Sequence, residues 1–153
     1  RIASRFTDEK QFVGYIMHKT GAAHDTFSSP EALYVKPSTS KFRWLKPCVL
    51  LTDHKVFSAA NDFTNSMKSM PNVTVMGTKT GGGAGMPFSS ELPNGWVVRY
   101  SAVPTYDKQM HLIEFGIEPD VELTFSDSDR INQVDTFIEA AIDFLLDAKH
   151  GQQ

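Results

Sequence analysis

Residues 48–63 read Cys-Val-Leu-Leu-Thr-Asp-His-Lys-Val-Phe-Ser-Ala-Ala-Asn-Asp-Phe. The stretch opens on an apolar run, 48–53, short enough and uniform enough to be a buried strand. It continues into a segment from Ala59 to Met70 whose apolar residues Ala59, Ala60, Phe63 and Met67 share one helix face. Ser58 therefore stands at a strand-to-helix turn. A hydroxyl there projects from a sharp bend, beside helical N–H groups that lack intrahelical acceptors and carry the positive end of the helix dipole. Such donors would stabilise an oxyanion forming next to Ser58. Serine is also a preferred helix cap, so the local pattern leaves two readings open, capping group and nucleophile.

The rest of the composition narrows the field. With 153 residues the chain is about one domain long and can bury a substantial core. Its hydrophobic share of 41% and charged share of 22% place it among ordinary globular domains. A net charge of −3 gives no reason to expect nucleic acid or an anionic membrane surface as partner. No apolar run approaches the roughly 20 residues that span a bilayer. Cys48 is the only cysteine, so no internal disulfide can form, and its place inside the strand makes it a structural thiol. The first residues, Arg1 to Phe6, read as the end of an element already under way. The expectation is a piece of a longer protein, with an N-terminal part missing.

Outward from the central stretch, 11–17 suggests a strand, and the polar connection 20–46 contains one extended piece near Leu33–Val35. Pro71-Asn72 turns the chain into a strand-like run at 73–76. A glycine-rich loop, 77–85, comes next. Phe88–Leu92 and Trp96–Val103 read as extended segments joined by Pro93-Asn94-Gly95, a hairpin signal because Asn and Gly tolerate positive φ. A short strand at 121–124 precedes a helix over about 130–148, capped from Ser126-Asp127-Ser128-Asp129. Its apolar stripe is Ile131, Val134, Ile138, Ala141, Ile142 and Leu145. Trp96, Phe88 and Phe115 are expected in the core, the alternative being the lining of an apolar pocket for a hydrophobic side chain or lipid-like ligand. Strands alternating with helices, with a β-rich insertion, indicate an α/β fold in a single domain over 1–153.

Few constellations carry chemistry. The glycine loop lacks the Lys-Ser/Thr pair of a phosphate-binding loop, having Gly83-Ala84 instead, and no helical pattern comes after it. Gly81, Gly82 and Gly83 serve either a loop that needs positive φ or a backbone that approaches a bound peptide closely. The five histidines are scattered, and no pair has the spacing that sets two metal ligands on one helix face. No metal and no cofactor are expected. His54 reads as a turn histidine. His111 and Glu114 are three apart in an extended segment and so point to opposite faces, which argues against a local pair. Lys79 is a base only if desolvated.

Taken together, these pieces resemble the C-terminal-processing-protease and tricorn-type serine peptidases. The resemblance rests on the apolar strand, then Phe57-Ser58-Ala59-Ala60-Asn61-Asp62-Phe63, then Val75-Met76-Gly77-Thr78-Lys79-Thr80-Gly81-Gly82-Gly83. It continues through Glu91-Leu92-Pro93-Asn94-Gly95 and Glu114-Phe115-Gly116-Ile117-Glu118-Pro119-Asp120. It implies a ClpP/crotonase-like α/β fold, of which this chain is the C-terminal part. It also implies Ser58 as acyl-transfer nucleophile, a backbone N–H of Ala59 in the oxyanion hole, and Glu114 as orienting carboxylate. The partner is then a peptide or protein substrate, with neither nucleic acid nor a membrane span involved. An exported location, periplasm or cell envelope, is the habit of bacterial relatives.

The departures sharpen the assignment. The processing-protease branch carries a lysine base in its glycine loop where this chain has Gly83, and the nearest lysine is Lys79. The chain is more similar to the histidine-dependent, tricorn-like branch. There the histidine, and a second oxyanion donor in an Asp-x-Arg-x-Asn-x-Gly-Gly segment, lie far upstream, and neither is found here. The expectation is a nucleophile-bearing half that is inactive alone. The competing reading is a non-catalytic module binding a peptide or hydrophobic ligand, since interphotoreceptor retinoid-binding protein reuses this fold without proteolysis.

Overall fold

A computed structural model describes residues 2–150 of the chain. In chain order the elements are β1 (Gln11–Ile16), β2 (Glu31–Val35), β3 (Cys48–Thr52), α1 (Ala59–Lys68), β4 (Val73–Gly77) and β5 (Pro87–Glu91). They continue as β6 (Val97–Ser101), β7 (Thr105–Tyr106), β8 (Val121–Glu122), α2 (Asp127–Ile131) and α3 (Thr136–His150). Single 3-10 turns stand at Ala3–Arg5 and Ile113–Phe115.

The two most apolar runs behave as buried parallel strands do. β3 and β4 pair in parallel, Cys48 opposite Val73 and Thr52 opposite Gly77, and β8 adds to the far edge of β4. β1 pairs antiparallel with β2 and with β7 to form a second sheet, while β5 and β6 pair only with each other. The mixed α/β class expected from the sequence is observed.

α1 closes over the parallel sheet through Met67, 1% exposed, which packs with Ala3, Met70 and Val73 and draws in Leu50, Cys48 and Phe63. Cys48 is half-buried in this cluster, and burial pushes its thiol above the ordinary range, as a structural thiol requires. α3 packs across β3 and β4.

Two expectations are corrected. The C-terminal helix is broken in two, because Gln133 takes φ 58 and the chain restarts with Asp135 Oδ1 accepting from the Phe137 and Ile138 N–H groups. The serine at 126 caps only the short α2. The break shifts the helical phase: Phe137 and Ala141 are buried, whereas Ile131, Val134, Ile138 and Ile142 are exposed. Trp96, Phe88 and Phe115 are not core either, being 72%, 55% and 75% exposed. The first two belong to the hairpin region, whose strands β5 and β6 pair with no other strand and are exposed along their length.

Candidate active site

Ser58 occupies the turn between β3 and α1 with φ 58 and ψ −123. A non-glycine residue pays about 1–3 kcal/mol for such a backbone, and the turn persists only because its surroundings impose it. The Ser58 N–H donates to the Gly82 carbonyl at 2.8 Å, and the Ser58 carbonyl accepts from the Asp62 N–H at 3.1 Å. Phe57 pairs with Gly82 as an isolated parallel bridge. The side chain of Ser58 makes no capping hydrogen bond, although it stands at the N-cap position. Among the described residues its hydroxyl has no partner, and it is exposed. The Ala59 N–H, first in the helix, likewise has no acceptor among the described residues.

The glycine loop is threaded between the Ser58 turn and the turn that carries Glu114. Gly82 (φ +81) and Gly83 (φ +78) both take left-handed backbone, which answers the first of the two roles open to them. The loop also packs tightly against other parts of the chain. A Cβ on Gly82 would collide with the Glu114 carbonyl oxygen, and one on Gly83 with the Phe57 ring. The Gly83 N–H donates to the Glu114 carbonyl at 2.8 Å, and the Gly81 N–H to the Val56 carbonyl at 2.9 Å. Three segments distant in sequence thus share one hydrogen-bonded junction, with Ser58 on one side and Glu114 on the other.

A buried amide ties the same three segments from below. Asn61, fully buried, donates from Nδ2 to the Ile113 carbonyl at 2.9 Å and accepts the Thr80 hydroxyl at Oδ1 at 2.6 Å. Thr80 Oγ1 accepts the Ile117 N–H at 2.7 Å. Every polar atom is satisfied, so the network rigidifies the junction instead of weakening it. Sequence reasoning assigned Asn61 and Thr80 no role. The legible signal was Asn61 and Asn65, two amides one turn apart in an amphipathic helix; Asn65 also faces inward, donating to the Val13 carbonyl at 3.1 Å.

Glu114 sits on the 3-10 turn, half-buried, with Oε1 accepting the Ser101 hydroxyl at 2.6 Å. Ser101 lies at the end of β6, and no sequence pattern pointed to it. Partial burial, and next the negative charge of Glu114, push the Asp62 carboxyl above the ordinary carboxylate range, even though the residue as a whole is exposed. A raised folded-state pKa makes ionised Asp62 unfavourable for folding at neutral pH, a penalty that disappears below the unfolded value of about 3.9. Asp62→Asn is therefore expected to raise Tm at pH 7, with the gain shrinking as pH falls through the raised value towards pH 4. A gain that stays constant with pH in a melting series would refute this origin.

The other candidates are engaged elsewhere. Lys79 pairs with Glu118 at 2.7 Å and His111 with Asp107 at 3.0 Å, so neither serves Ser58 or Glu114. His54 is an exposed turn residue and His18 lies 3.8 Å from Glu31. Among the described residues, no histidine or lysine bonds to Ser58 or Glu114. No group of three or more metal-ligating side chains is gathered among them, and no described helix is long and apolar enough to cross a membrane.

Comparison with known proteins gives the arrangement a family. A protein of Parabacteroides merdae assigned as a peptidase is 50% identical and superposes with a TM-score of 0.91, over 95% of this chain and 46% of that one. Mature CPAF shares the fold at 16% identity and TM-score 0.70, over 93% of this chain and 38% of that one. The tricorn protease does so at 21% identity and TM-score 0.63, over 96% of this chain and 13% of that one. The chain thus spans less than half the length of these relatives. Among curated proteins nothing matches the sequence. The model of peptidase family S41 matches residues 1–123, and the chain belongs to that family.

Proposed function

We propose that these residues are the C-terminal, nucleophile-bearing part of a serine peptidase catalytic domain, and that Ser58 is its acyl-transfer nucleophile. The observation that carries the reading is the Ser58 turn: a costly backbone, an unbonded hydroxyl and the open Ala59 N–H beside it. Strain retained without a capping bond is what an exposed nucleophile needs and what a helix cap does not.

In this reading Ser58 Oγ attacks the carbonyl carbon of a peptide bond while a base takes its proton. The Ala59 N–H donates to the oxyanion. The tetrahedral intermediate collapses, the C–N bond breaks, and the leaving amine takes the proton from the base. Water then attacks the ester, releasing the acid and restoring the Ser58 hydroxyl. Glu114 orients the base, which we take to be a histidine outside these residues, since each histidine with a described side-chain partner has it away from the junction. Gly81, Gly82 and Gly83 form the wall along which the peptide runs. The full-length protein is exported to the periplasm or cell envelope.

Fluorophosphonate labelling of the full-length protein, read by intact mass, tests the assignment. The expected result is one adduct, lost in Ser58→Ala. A folded full-length protein that takes no label would return the site to a non-catalytic binding module. The 153-residue chain alone is expected to turn over no peptide, and turnover by it that Ser58→Ala abolishes would show that the base lies within these residues.

A further inference from the structure

The Ser101–Glu114 hydrogen bond is the one hydrogen bond between the exposed β5–β6 hairpin and the junction that involves a carboxylate oxygen, among the described residues. Its length, 2.6 Å, is that of a charge-assisted O–H···O⁻ bond. It occupies Oε1 and leaves Oε2 without a partner among the described residues. A carboxylate that must hold an imidazole N–H uses one oxygen for that bond, and its direction is set by whatever holds the other oxygen.

The backbone around the pair holds Ser101 in place. A Cβ on Gly85 would come within 2.7 Å of Ser101 Oγ and 2.8 Å of Glu114 Oε2, so only a glycine lets the pair lie this close to the loop. The Gly85 carbonyl accepts the Ala102 N–H at 2.9 Å and the Val103 N–H at 3.0 Å, which pins the residues directly after Ser101. The serine is thus held through the two residues that follow it and by the loop beneath it. Ser101 also lines a cavity of about 640 Å³ together with His18, His24, Phe27, Phe88 and Tyr100, so it faces open space on one side and the carboxylate on the other.

We propose that Ser101 is a positioning residue for the reaction: it holds Glu114 so that Oε2 presents itself to the base. The proposal rests on the peptidase reading of Ser58 and Glu114. A purely structural alternative is that the bond only anchors the hairpin.

The test is fluorophosphonate labelling kinetics on the full-length protein, giving the maximal rate constant kinact and the half-saturating concentration KI. Ser101→Ala is expected to lower kinact by about 10- to 100-fold with KI unchanged within about twofold, because misdirecting a catalytic group slows the chemistry and not the encounter. Ser101→Thr, which keeps the hydroxyl, is expected to restore most of the rate. In a Glu114→Ala background, Ser101→Ala is expected to cost nothing further, since it acts through the carboxylate. An unchanged kinact in Ser101→Ala, or an equal loss in both backgrounds, overturns the proposal. A drop in kinact matched by Ser101→Thr and by lower Tm in both variants assigns the bond to hairpin anchoring and also overturns it. If Ser58→Ala still takes the label, the underlying reading has failed and this one falls with it. If Ser58→Ala is silent and Ser101→Ala is not slowed, only the positioning role is lost.

Discussion

Peptide turnover by the full-length protein is expected to fall by about 10⁴-fold or more in Ser58→Ala, with the fold intact. Removing the nucleophile leaves only substrate binding and oxyanion donors, and the remaining acceleration over water is small. Stability separates this from the helix-cap reading. Were Ser58 a cap, its alanine variant would lose about 0.5–2 kcal/mol. Here the side chain makes no capping bond, so the loss is expected to be near zero. Ser58→Gly goes further: with φ 58 the position suits glycine, and relief of the backbone strain is expected to raise stability by about 1 kcal/mol while activity disappears. Urea unfolding of the three proteins beside turnover assays checks both limbs. A destabilised Ser58→Ala that still cleaves peptide would reverse the assignment.

Gly82→Ala is expected to destabilise the protein by about 3 kcal/mol or more and to remove activity even in the fraction that folds. Two costs coincide at this position. The backbone is left-handed at φ +81, and a Cβ would strike the Glu114 carbonyl oxygen and come within 2.8 Å of the Gly116 N. Both obstacles are backbone atoms, which cannot swing aside as a long side chain can. The shift would pull on the Gly82 carbonyl that holds the Ser58 N–H and on the Gly83 N–H that holds Glu114. Nucleophile and carboxylate therefore move together. A Gly82→Ala protein within about 0.5 kcal/mol of the parent in urea unfolding would mean that the loop yields freely and that the junction is no rigid frame.

Much of this molecule was legible from local pattern. The strands at 48–52 and 73–77, the helix after Ser58 and the Asn94-Gly95 hairpin each arise from periodicity or turn chemistry, which act over a few residues. So does the candidate nucleophile, since a serine between an apolar strand and an amphipathic helix can occupy little else but such a turn. The break at Gln133 was missed because nothing about a glutamine announces a positive φ; it is imposed by Asp135 capping the next helix. The exposed aromatics of the hairpin were misjudged for a related reason. Composition says that a ring prefers burial, but only the arrangement of layers says whether anything lies over it.

Residue order by itself determined the α/β class, the turn that presents Ser58 and the family to which the chain belongs. Tertiary structure alone decided what surrounds that serine. Glu114, Gly82, Thr80 and Asn61 meet there, Asn61 bonding to Thr80 at a sequence separation of 19 and to Ile113 at a separation of 52. Ser101 reaches Glu114 from a hairpin whose own sequence carries no trace of the encounter. Local propensities act over one or two turns of chain, whereas these contacts depend on which backbone atoms close packing forces together, and only the folded chain specifies that.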